Sequence, residues 1–309
     1  MSKGIPTKTV TERMMSNASG QPRPSSTDRR DQAREHARAL RDEHHPRGQR
    51  RRMLWRGGIG VALVAAAAVV ALVVVNQTSP NGAGPLNRAS DGILIGGDGT
   101  TVSAATTPAL AAGAKPAPTD QSRLSDMVNI AIYVDYMCPL CGEFEATNGA
   151  QIASWVTAGN ATVELHPISI LDASSLGTNY STRAANAAAC VANYAPDSFL
   201  AVNTALFANQ PAENTGGLTD AELQSLIAKT GATNVNIGAC IANQTFVPWV
   251  GAASNRALNG PLPNADLHKV IGTPTVLVNG VSYPGSFRDA AAFEAFVLKQ
   301  TGATDTSGD

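Results

Sequence analysis

Cys138 and Cys141 stand two residues apart, separated by Pro139 and Leu140, in the run Tyr133-Val134-Asp135-Tyr136-Met137-Cys138-Pro139-Leu140-Cys141. Two thiols at this spacing can cycle between dithiol and disulfide, supply half of a zinc site, close a structural bridge, or stay buried as thiols. Zinc takes four ligands, and no second close pair of Cys or His follows downstream to complete a tetrahedron. A structural bridge across so short a loop constrains the unfolded chain very little. Redox chemistry is therefore the leading reading of the pair.

The surrounding pattern supplies the elements that would position it. Val128, Ile130, Ile132 and Val134 alternate with Asn129, Ala131 and Tyr133, the period of a strand, and the β-branched content agrees. After the cysteines the period changes. Cys141, Phe144, Ile152 and Trp155 recur at helical spacing, so a helix is expected to begin near Cys138 and bury that stripe. Pro139 suits its first turn, where no backbone donor is needed. The amides of a helix N-terminus favour a thiolate at Cys138, with its sulfur facing outward. Cys141, one turn further in, faces the core and acts as the resolving thiol. Each pKa unit by which Cys138 is lowered favours the reduced form by about 1.4 kcal/mol.

The rest of the 309 residues divides by charge. Residues 1–56 carry 14 Lys+Arg against 6 Asp+Glu, and the remainder 9 against 18. Residues 1–56 lack an apolar stripe and read as a disordered basic arm, a topology signal and solvated tail rather than a nucleic-acid-binding segment. Residues 57–75 form an uncharged Val/Ala-rich segment long enough to cross a bilayer, preceded by Arg47, Arg50, Arg51, Arg52 and Arg56. The expectation is a single-pass signal anchor, with the N-terminus cytoplasmic and the C-terminal domain extracytoplasmic. Residues 76–125, mostly Gly, Ala, Thr, Pro and Ser, read as a mobile tether in which only Ile93-Leu94-Ile95 has strand character. Gly96-Gly97-Asp98-Gly99 lacks the Lys-Ser/Thr and helix of a phosphate loop.

Residues 126–302 are long enough for one core, and 303–309 read as a disordered tail. After the first helix, Thr162 to Ile168 alternates as a second strand. A helical insert at about 174–260 follows: Ser181–Tyr194, Ser198–Phe207, a helix opened by the capping box Thr219-Asp220-Ala221-Glu222 and stopped at Gly231, and one helix from Asn236 to about Leu258. Thr275 to Val278 resumes strand character, Asn279-Gly280 is a hairpin turn, and Phe293, Phe296 and Val297 mark a last helix. This order implies an α/β fold with a mixed sheet. Cys190 and Cys240 lie fifty positions apart on two insert helices, in a compartment where disulfides persist. A bridge is expected; a second redox relay or two free thiols are the alternatives. His166 reads as a hydrogen-bonded strand-end histidine rather than a partner of the redox pair, and Trp155 and Trp249 as core. No hydrolase motif is present.

Strand, Cys-Pro-x-Cys, helical insert and then Gly272-Thr273-Pro274-Thr275 before a hairpin resemble the DsbA-like branch of the thioredoxin superfamily, and Asp135-Tyr136-Met137 before Cys138 is similar to its Gram-positive and actinobacterial members. The resemblance covers residues 128–302. It implies a thioredoxin fold with a helical insertion, Cys138 and Cys141 as the catalytic pair, and no cofactor. It also implies a cis Pro274 against that pair, with Thr273, Pro274, Pro139 and Leu140 docking substrate, and it supports the Cys190–Cys240 bridge.

Ile132 stands where many relatives carry a buried acid, and Leu140 where strongly oxidising ones often carry His. The tract between Ile95 and Val128 is also longer than is usual in the family. Asp135, Glu143 or Glu145 could replace the acid, although each reads first as a solvated surface carboxylate. The implied function is exchange of the Cys138–Cys141 disulfide with cysteines of exported proteins. Reoxidation would come from a membrane partner such as a vitamin K epoxide reductase homologue. The alternatives are a reductase or isomerase of the same fold, or a non-catalytic peptide-binding module of the envelope.

Overall fold

The computed structural model describes residues 82–124 and 127–301. The basic arm, the segment 57–75 and the tail 303–309 lie outside the described residues. Among the described residues no helix is long and apolar enough to cross a membrane. The longest, 19 residues, carries Glu143, Glu145, Asn148 and Gln151 along its length. This corrects the expected fold class and localisation: among the described residues the architecture is a thioredoxin fold with a helical insertion, and no transmembrane helix or single-pass placement is found there.

The centre is a six-stranded sheet in the order β2-β1-β4-β3-β5-β6, comprising β1 (Ile93–Gly97), β2 (Val102–Ala104), β3 (Val128–Val134), β4 (Ala161–Pro167), β5 (Thr275–Val278) and β6 (Val281–Ser282). β3 and β4 run parallel, joined by the helix α1 (Pro139–Thr157), and the other pairings are antiparallel. Because side chains alternate along a strand, Ile130, Ile132 and Val134 of β3 enter one core with Phe144 and Ile152 of α1 and with Phe293 of the last helix, α7 (Ala290–Gln300). Phe293 meets Phe144 and Tyr283 edge-on, at 5.3 and 5.1 Å between ring centroids. Tyr133 and Leu277 point the other way, into a smaller core with Ile168, Ala257, Leu262 and Val270.

The insert contains α2 (Tyr180–Tyr194), α3 (Phe199–Ala208), α4 (Asp220–Lys229), α5 (Val235–Ala242) and α6 (Val247–Asn259). The capping box forms at α4: Thr219 accepts from the Glu222 amide while the Glu222 carboxylate accepts from the Thr219 amide. The single helix expected from Asn236 to Leu258 is two. Gln244 adopts a left-handed backbone at φ 50° between them, and Pro248 opens the second, where its missing donor costs nothing.

The tract expected to be a mobile tether is also different. β1 pairs with β4 in the register Ile93↔Leu165, and Asn87 donates to the Ala192 carbonyl at 2.9 Å. Arg88 is wholly buried over the Trp249 ring at 4.5 Å and donates to the Asp91 carbonyl at 2.6 Å, while the Asp91 carboxylate pairs with Arg256 at 2.6 Å. Burial lowers the Arg88 pKa to about 10, against the opposing pull of Tyr136, Asp91 and Glu164. Residues 82–124 are thus a packed strap that joins the sheet to the insert.

Candidate active site

β3 ends at Val134, and the chain turns through Asp135-Tyr136-Met137 into α1. Asp135 holds this turn. Its Oδ1 accepts from the Met137 amide at 2.8 Å and the Ser181 hydroxyl at 2.7 Å, and its Oδ2 from the amides of Ile170 and Leu171 at 2.8 and 3.0 Å. Burial raises its pKa, and these donors pull in the opposite direction. Asp135 is therefore the knot that ties β3, the exit of β4 and α2 together, not a solvated carboxylate. Glu145 is no surface carboxylate either. It accepts from Asn203 at 3.1 Å and Thr204 at 2.7 Å on α3, and burial raises its pKa. Glu143 pairs with Arg288 in a more exposed position.

Cys138 is the N-cap of α1, with extended backbone angles (φ −74°, ψ 116°), and Pro139 occupies the first turn. Its carbonyl accepts from the amides of Cys141 and Gly142 at 3.0 and 3.2 Å, so the helix begins immediately behind the sulfur. Both cysteines are free thiols. Cys138 is 7% exposed and Cys141 1%, whereas Leu140 between them is 46% exposed. The Cys138 thiol donates to the Thr273 carbonyl at 3.1 Å, and the Thr273–Pro274 peptide bond is cis. The structure therefore brings Cys138, Pro139, Leu140, Cys141, Thr273 and Pro274 into one locus.

Electrostatics separates the two thiols. Cys138 is lowered from 9.0 to about 6, first by the hydrogen bond from Cys141; burial opposes, and the Thr273 side chain and the amides of Cys141 and Leu140 add to the lowering. At that value the thiolate is favoured at neutral pH, and only the protonated form donates to the Thr273 carbonyl. Cys141 is pushed well above its ordinary value by burial, then by its bond to Cys138 and by the Cys138 charge. The Thr273 hydroxyl makes no hydrogen bond of good geometry, yet its dipole favours the anion at both sulfurs. Such a dithiol can accept and release a disulfide with Cys138 as the sulfur that is attacked and released.

Cys190 and Cys240 lie elsewhere, joined by a disulfide between α2 and α5 with their Cα atoms 5.9 Å apart. His166 stacks on Tyr133 at 4.3 Å and meets Glu164 at 3.4 Å, on the sheet face away from α1. Trp249 is buried, while Trp155 is only half-buried and Val156 fills the core position beside it. Gln210 was not visible as a site residue in the sequence: its side chain donates to the carbonyls of Tyr136 and Cys138 from beyond α3. No local motif marks it, because its partners lie more than seventy residues earlier.

A βαβ unit opening a Cys-x-x-Cys helix, a cis-proline hairpin beside it and a helical insert define a thioredoxin-fold protein with a dithiol centre. A family model described as thioredoxin matches residues 126–297, and the chain belongs to that family. Its homology is to DsbA-like thiol–disulfide oxidoreductases, with Cys138 and Cys141 as the candidate pair. DsbA from Mycobacterium tuberculosis in its reduced form is 27% identical with a TM-score of 0.51, over 69% of this chain and 93% of that one. BdbD from Bacillus subtilis, 19% identical with a TM-score of 0.50 over 74% and 100% of the two chains, shares the fold. The serine/threonine-protein kinase PknE of M. tuberculosis is 34% identical over 151 residues, 48% of this chain. The match spans about a quarter (26%) of that kinase's length.

Proposed function

We propose that the protein passes a Cys138–Cys141 disulfide to pairs of thiols in exported proteins. A substrate thiolate attacks the Cys138 sulfur; the S–S bond to Cys141 breaks, and Cys141 leaves as a thiolate that takes up a proton. The second substrate thiolate then attacks the substrate sulfur of the mixed disulfide and expels Cys138. Two electrons pass from the substrate's thiols to the enzyme pair, which ends as the Cys138 thiolate and Cys141 thiol. Reoxidation falls to a separate quinone-linked partner of the vitamin K epoxide reductase kind. Substrate docks at Thr273-Pro274, with the Thr273 backbone pairing to an extended peptide as an added strand, beside the exposed Leu140.

The observation that supports this direction is the asymmetry of the thiols: Cys138 is a stabilised leaving group in front of the helix, and Cys141 is a buried, high-pKa thiol behind it. The test is the equilibrium of the pair with a glutathione buffer. A potential well above about −200 mV is expected for a donor, and one near about −270 mV would make the protein a reductant instead.

A further inference from the structure

α3 of the insert presents one face to the redox turn. Asn203 accepts from the Tyr136 hydroxyl at 3.1 Å, Phe207 packs on the Tyr136 ring at 5.1 Å, and Gln210, just past the helix end, continues the line. The Gln210 Nε2 donates to the Cys138 carbonyl at 2.8 Å and to the Tyr136 carbonyl at 3.2 Å. The Cys138 carbonyl thus accepts from Gln210 as well as from the first amides of α1, at the residue where strand geometry must become helix geometry. The closeness is built in at Gly142. A Cβ there would collide with the Gln210 Oε1, so any other residue must push the amide aside. Asn203 in turn donates to Glu145 on α1, so α3 holds both the turn and the helix it starts.

We propose that Gln210 is a positioning residue of the redox centre: its side-chain amide fixes the Tyr136 and Cys138 carbonyls and so keeps the Cys138 sulfur seated in front of the α1 amides. The proposal rests on the thiol–disulfide reading of the site and adds to it a contact supplied by the insert. One amide group thus ties the carbonyl that ends the turn to the carbonyl that starts the helix. Without that contact the turn keeps its Asp135 anchor but loses the bond across the Tyr136–Cys138 step, and the sulfur is held less closely against the Leu140 and Cys141 amides. The ionisable groups on the turn and on the helices around it are Cys141, Asp135, Tyr136 and Glu145, and the Gln210 side chain bonds backbone carbonyls rather than these side chains.

The test compares the full chain with Gln210→Met, which keeps the length and loses the donor, Gln210→Glu, which replaces the donor by a carboxylate, and Gly142→Ala, which displaces the amide without altering it. Alkylation of Cys138 in the reduced protein is followed against pH, together with the glutathione equilibrium and the thermal midpoint. Gln210→Met and Gly142→Ala are each expected to raise the Cys138 half-point by roughly half to one pH unit, a threefold to tenfold loss of thiolate below the half-point. Gln210→Glu should raise it further. The Gln210→Met/Gly142→Ala double variant should show no more than the larger single effect, because both act through one contact.

If the half-point and the glutathione equilibrium of Gln210→Met stay at the wild-type values, whatever happens to the thermal midpoint, the contact is only structural and the proposal fails. A wild-type protein that does not exchange with glutathione at all would overturn the functional reading instead. The two failures are read in different samples.

Discussion

Cys190 and Cys138 are both buried and each has a second cysteine close by, yet Cys190 is bonded to Cys240 while Cys138 and Cys141 are free thiols. Cys190 lies inside α2, where backbone amides are committed to carbonyls of the preceding turn. Its bridge to α5 closes a fifty-residue loop and has only packing around it. Cys138 lies in front of a helix, where the first amides have no intrahelical partner, beside the Thr273 side chain and in reach of the Cys141 thiol. The same side chain is a staple at one position and a thiol lowered to about 6 at the other. The lowering comes from what surrounds the sulfur: the Cys141 thiol first, then the Thr273 side chain and the amides of the helix end.

The sharpest way to break this contrast is to disable each pair in turn. Cys138→Ser should reduce exchange with glutathione and with a reduced model substrate to the uncatalysed rate, with the melting transition of the domain retained. Replacing Cys190 and Cys240 together by Ala should do the reverse. Chain entropy sets the cost at about 4 kcal/mol, read from denaturant midpoints, while the Cys138 alkylation half-point is expected to stay near pH 6. A large shift in that half-point would mean that the two pairs are not independent.

Asp135→Ala tests the turn that separates the two environments. It leaves the half-buried Ile170 and Leu171 amides, the Ser181 hydroxyl and the Met137 amide without their acceptor, and should destabilise the domain by about 3 kcal/mol in urea denaturation.

The candidate redox pair was legible in the sequence because its immediate frame is local: an alternating strand, a proline suited to a first turn, and an apolar stripe at helical spacing. The capping box at Thr219 was legible for the same reason. What escaped was long-range. A Gly/Ala/Pro-rich composition describes chain flexibility, and it carries no record that Ile93 would pair with Leu165 or Arg88 slip under Trp249. Asp135 read as a surface acid because its donors come from residues 170, 171 and 181 as well as from its own turn. Gln210 had no signal at all. The break between α5 and α6 did have one, since Pro248 interrupts the run read as a single helix, but the left-handed residue at Gln244 had no marker.

A smaller effect sharpens the comparison through pH. Cys138 is lowered in the folded dithiol, so the stabilisation it gives the reduced form is present above the ordinary thiol pKa and is lost as pH falls through about 6. Below that point reduction takes up two protons for two electrons, and above it one. The potential of the Cys138–Cys141 pair should therefore fall by about 59 mV per pH unit under acid conditions and about 30 mV per unit above the break.

The most direct measurement is the rate of alkylation of Cys138 and Cys141 in the reduced protein as a function of pH, each cysteine followed by peptide mass. Cys138 should react with a half-point near pH 6, and Cys141 should remain protected across the same range. Two cysteines that titrate together near the ordinary value of 9.0 would contradict the claim that the Cys141 bond, the Thr273 side chain and the helix-end amides set Cys138 apart from its neighbour.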